Sequence, residues 1–62
     1  MNQSKLQYGQ SYTDGVAERY LIRQIGGSDG PNRLIEYEEN GRVLHCTAGE
    51  FADWAKHETK SK

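Results

Sequence analysis

The sequence predicts an α+β domain, in which a small antiparallel sheet of three to four strands is followed by one C-terminal amphipathic helix. Three observations lead there. Asn40-Gly41 lies between two alternating apolar runs, the mark of a two-residue type I′ hairpin in which both central residues need φ > 0. Residues 16–25, VAERYLIRQI, are rich in β-branched and aromatic side chains and are closed by Gly26-Gly27. Thr47 and Glu50 have capping-box spacing and are followed by Phe51, Trp54 and Ala55 at helical intervals.

In chain order, residues 1–6 are polar and expected to fray, as are residues 59–62. Residues 7–13 set Tyr8 and Tyr12 among small polar residues ahead of an Asp14-Gly15 turn, which suits a short strand or an arm laid across the domain. In residues 16–25 strict alternation puts Tyr20 and Ile22 on one face and Arg19, Leu21 and Arg23 on the other. A helix is tolerated there by Ala17, Glu18 and Arg19, but the β-branched and aromatic content favours a strand.

A two-residue loop at Asn40-Gly41 pairs Glu39 with Arg42, Tyr37 with Leu44 and Ile35 with Cys46. Ile35, Tyr37, Leu44 and Cys46 then share the apolar face, and Leu34, Glu36, Glu38, Val43 and His45 share the other. The helix beyond Thr47 should run about three turns. Its face of Ala48, Phe51, Trp54 and Ala55 should dock on that apolar surface with Trp54 as main anchor, leaving Asp53 and Lys56 wet. Short, strongly twisted strands of this kind either stay an open sheet or curl into an SH3-like partial barrel.

A chain of 62 residues is a single domain that buries only about 60% of its unfolded surface. With 34% apolar residues the core is small, and a homodimer or a permanent partner would relieve the shortage. The net charge is −1, with acidic and basic residues interspersed, so no basic stripe marks a nucleic-acid footprint. The nearest clusters are Lys5 at one end and Lys56, Lys60 and Lys62 at the other. The lone Cys46 makes no internal disulfide, which suits a reducing cytoplasm. No long apolar run is present, so a membrane is not an expected partner.

GGSDGPNR, residues 26–33, is glycine-rich but is no phosphate cradle. Pro31 and Asn32 stand where a P-loop needs Lys and Ser or Thr, Asp29 repels phosphate, and a strand follows instead of a helix N-terminus. His45 and Cys46 are neighbours on a strand and point to opposite faces, so they can share neither a metal ion nor a proton. Glu36, Glu38 and Glu39 lack a deep cleft that would make one of them a general acid. The expectation is a non-enzymatic protein with no cofactor and no metal.

What remains is surface. Tyr and Arg dominate interface hot spots, so Tyr8, Tyr12, Asp29 and Arg33 form the candidate partner-binding rim. The plainer reading is that Tyr8 and Tyr12 cover the open end of the sheet.

GQSYTD, ERYLIRQI, LIEYEENGRVLHC and AGEFADWA, in that order, resemble the small SH3-like domains of phage and mobile-element proteins. The resemblance covers most of residues 9–55, and departs in the long loop of residues 26–33 and in the fuller helix. It implies a non-enzymatic accessory or interaction protein of a phage or prophage and identifies no partner; the leading expectation is a protein-binding module, an accessory or inhibitor protein acting on a host protein. The alternative is a nucleic-acid-binding SH3- or OB-like domain, which would need Arg19 and Arg23 facing out beside a stacking tyrosine.

Overall fold

In the computed structural model, which describes residues 1–59, the strands are β1 (Ser11–Thr13), β2 (Glu18–Gly26), β3 (Leu34–Glu39), β4 (Arg42–Thr47) and β5 (His57–Glu58). The helix α1 (Ala48–Trp54) lies between β4 and β5, and 3-10 turns occupy Gln3–Lys5 and Gly30–Asn32. All strand pairs are antiparallel, in the order β4-β3-β2-β1-β5. The class is therefore α+β as expected, with a larger sheet than the three to four strands anticipated.

The β3–β4 hairpin follows the register read from the sequence. Glu39 pairs with Arg42, Tyr37 with Leu44 and Ile35 with Cys46. Asn40 (φ 54°) and Gly41 (φ 78°) supply the left-handed pair that the turn requires. The corner between β1 and β2 is also local chemistry. Asp14 Oδ1 accepts from the N–H groups of Val16 and Ala17, both at 2.9 Å, and Gly15 takes a φ of 100°.

The core lies between the sheet and α1. It consists of Leu6, Tyr12, Leu21, Ile35, Tyr37, Ala48, Phe51, Ala52 and Ala55, with Cys46 and Trp54 at its margin. Phe51 is fully buried and meets Tyr12, Tyr37 and Trp54 edge-on at centroid distances of 5.7, 5.4 and 5.4 Å.

Several expectations need correction. The helix is seven residues, about two turns, and it is not C-terminal. Beyond Ala55 the chain extends and pairs along β1; the Lys56 N–H donates to Thr13 O at 2.9 Å and the Thr59 N–H to Ser11 O at 3.0 Å. Residues 1–6, expected to fray, are placed on the fold: Leu6 joins the core and Asn2 caps the 3-10 turn at Gln3–Lys5. Of residues 59–62, also expected to fray, Thr59 makes the bond to Ser11 O and residues 60–62 lie outside the described residues.

Strict alternation fails in β2. A register shift between Leu21 and Arg23 leaves Ile22 as a bulge. Arg19 and Leu21 stay on the helix side, while Arg23 crosses to the far face and its Nε donates to Glu36 Oε1 at 2.9 Å. Leu44, expected beneath the helix, is instead 40% exposed on the edge strand β4. Trp54 is only partly buried, so Phe51 and not Trp54 anchors α1.

Candidate recognition surface

Of the four residues expected to form a rim, Tyr8, Asp29 and Arg33 belong to the surface and Tyr12 does not. Tyr12 is 1% exposed, with its ring against Phe51 and its hydroxyl accepting from the Gln7 N–H at 2.7 Å. Burial, only partly offset by that N–H, pushes its phenol pKa up. Its place in β1 turns alternate residues inward, and Tyr12 fills the inward slot. Its role is to hold residue 7, and therefore Tyr8, in position from below.

Arg33 is a clamp. Its Nε donates to the Tyr8 hydroxyl at 3.0 Å, and its terminal nitrogens donate to Gln3 Oε1, to Gly30 O at 2.9 Å and to Gln3 O at 3.2 Å. One guanidinium thus ties the N-terminal turn, the 26–33 loop and Tyr8 together, using its planar fork of donors. Tyr8 keeps 45% of its surface exposed. Asp29 is exposed at the start of the Gly30–Asn32 turn and makes no side-chain capping bond there.

The loop carrying these residues is held from both sides. Gly27 has φ 80°, and a Cβ there would stand 2.8 Å from Asn32 O and Leu34 N. On the other side Gly49 lets α1 approach Pro31, since a Cβ on Gly49 would be 3.2 Å from Pro31 O. The segment is long in sequence, and in the fold it is packed against the helix.

A second cluster escaped the sequence reading. The Arg19 guanidinium carbon lies 4.1 Å from the Trp54 ring centroid and 4.7 Å from that of Tyr37, and its Nε donates to Glu39 Oε1 at 2.9 Å. Trp54 also approaches the Asp14 carboxylate, which the N–H groups of Ala17 and Val16, with a smaller contribution from Trp54, hold below the usual carboxylate range. Arg19 closes the side of the core as a stacked, half-buried cation. No single-element pattern signals this, because it joins β2, β3 and α1. Arg23 is outward and 69% exposed, with its Nε paired to Glu36, whereas Arg19 is turned to the margin of the core.

His45 faces Glu36 across the hairpin, with Nε2 at 3.8 Å from Oε2. Cys46, on the opposite face, is half-buried, and burial pushes its thiol pKa up. Among the described residues no three His, Cys, Asp or Glu side chains converge on a point that could hold a metal ion. An open depression lies near the N-terminus, lined by Met1, Lys5, Gln7, Tyr12 and Glu58. No helix among the described residues is long and apolar enough to cross a membrane.

The fold and this surface define a small antiparallel α+β domain with an ordered polar loop beside an exposed tyrosine. No protein-family model, curated protein or solved structure matches the chain.

Proposed function

We propose that this chain is a small non-enzymatic binding module that engages another protein through Tyr8 and Asp29. The observation that carries the reading is the Arg33–Tyr8 contact. It fixes an exposed aromatic ring in advance, so less side-chain freedom is lost when a partner covers it. Asp29 adds an exposed carboxylate on the same packed loop, suited to a donor or a cation on the partner. Arg33 leaves the list of contact residues and becomes the residue that positions Tyr8.

The strand order supports the SH3-like resemblance, because the last strand pairs back onto the first after a helical segment. On that resemblance the chain is a phage or mobile-element accessory protein; the partner we propose for it is a host protein, met in the cytoplasm. The unpaired Cys46 suits that compartment.

The test is affinity capture with the wild-type chain, Tyr8→Ala and Asp29→Ala, all checked for native circular dichroism. A partner whose recovery falls at least about tenfold with Tyr8→Ala, or about 1.4 kcal/mol of binding, supports the reading. Equal recovery by all three removes it. Oligonucleotide binding with a steep salt dependence would favour the nucleic-acid alternative instead.

A further inference from the structure

The two edges of the sheet differ. β5 is two residues long, whereas β4 runs six residues in unbroken register with β3 and, among the described residues, has no neighbour on its other side. Natural edges of this length are usually blunted by a bulge, a proline or lysines. β4, RVLHCT, has none of these, and Arg42, Val43, Leu44 and His45 are all exposed.

Which backbone groups are free follows from the turn. In a two-residue hairpin Glu39 and Arg42 form a hydrogen-bonded pair, and such pairs alternate along the ladder. Arg42, Leu44 and Cys46 therefore direct their N–H and C=O groups to β3. Val43, His45 and Thr47 direct theirs outward. Two contacts agree with this phase: Ala48 donates to Arg33 O at 2.9 Å, and the Thr47 N–H turns out to the Glu50 carboxylate at 3.2 Å.

We infer that β4 pairs antiparallel with β4 of a second copy of this chain, about a two-fold axis at Leu44, to make one continuous sheet. In this register Val43 of each copy forms a hydrogen-bonded pair with His45 of the other, and all the outward groups of those two residues are used. Moving the axis to His45 would require the Thr47 N–H, which Glu50 already occupies. Moving it to Val43 would set His45 against Gly41 inside the turn and leave fewer bonds.

The side chains agree with the backbone. Leu44 meets its own copy in a non-hydrogen-bonded pair, where side chains are closest, and loses its exposure. Arg42, which makes no ion pair among the described residues, falls opposite Cys46 of the second copy. The Glu50 carboxylate of that copy is fixed at Thr47, the next residue, so an Arg42–Glu50 pair forms on each side of the axis. The interface is small, so the dimer is weak and dependent on concentration. It is independent of what binds at Tyr8.

The experiment combines sedimentation velocity with cross-linking. The wild-type weight-average mass should rise from 7.0 kDa toward twice that value between micromolar and millimolar chain. Leu44→Lys sets like charges across the axis, and Arg42→Glu faces Glu50; each should raise the dissociation constant at least about tenfold without loss of the folded spectrum. In a Cys46→Ser background, Leu44→Cys should oxidise to a covalent dimer, because the paired Cα atoms lie within disulfide range. His45→Cys in the same background should not, because its partner is Val43. A wild type that stays monomeric at millimolar concentration overturns the inference, as does equal cross-linking by both cysteine variants. So does a monomer that instead takes an extended peptide onto β4.

Discussion

Phe51 is the residue on which the core closes. Its ring has no exposed surface and is ringed by Tyr12, Tyr37 and Trp54. Deleting a large buried aromatic costs about 3–5 kcal/mol, and a domain of this size has little stability beyond that. Phe51→Ala should therefore be unfolded at 25 °C. Trp54→Ala removes a half-buried ring from the margin and frees Arg19, which still holds Glu39. Its loss should be smaller, and the protein should still unfold cooperatively. Urea titrations followed by circular dichroism separate the two cases. A folded Phe51→Ala protein, or a Trp54→Ala protein with no native signal, would move the anchor back to Trp54. The sequence favoured Trp54 because it is the larger apolar group at helical spacing. Spacing alone does not say how far a short helix reaches over its sheet.

At the level of elements, the 26–33 segment is long in sequence yet closely packed, because Gly27 permits a close backbone crossing and Arg33 clamps the far end. Gly27→Ala puts a methyl group against Asn32 O and Leu34 N and forces a non-glycine residue to a φ near 80°. The expected loss is about 1–3 kcal/mol, the range for strained backbone positions. Gly41→Ala, with open space around its Cβ, should lose less by thermal melting. Equal losses would mean the Gly27 crossing relaxes. These elements also show what a sequence can disclose. The Asn40-Gly41 hairpin, the Asp14-Gly15 corner and the Thr47–Glu50 capping box were legible because each is satisfied within a few residues. The Ile22 bulge and β5 were not, because pairing with distant strands creates them. The candidate rim was legible in part: Tyr8, Asp29 and Arg33 reach the surface, whereas the inward turn of Tyr12 depends on where β1 starts.

For the molecule as a whole, stability is tied to pH at both ends, by the buried core groups on the alkaline side and by the Asp14 corner on the acid side. Burial raises the pKa of Tyr12, Tyr37 and Cys46. A raised folded pKa makes ionisation easier in the unfolded chain. The stabilisation is thus complete below the unfolded pKa and is lost as pH rises through the folded one. With ordinary values of about 8.5 for a thiol and about 10 for a phenol, stability should begin to fall above about pH 8.5 and fall faster above about pH 10. Asp14 acts in the opposite sense. Its carboxyl is held low by the Ala17 and Val16 N–H groups, so its contribution is present above about pH 4 and is lost as pH drops through the folded value. Two variants separate the limbs. Cys46→Ala should shift the onset of alkaline loss upward toward the phenol range, and Asp14→Asn, which keeps an acceptor oxygen but cannot titrate, should flatten the acid limb. The measurement is the urea midpoint of each protein from pH 2 to pH 11. If Cys46→Ala keeps the wild-type alkaline onset, the thiol is not coupled to folding, and the alkaline limb belongs to the two tyrosines that flank Phe51.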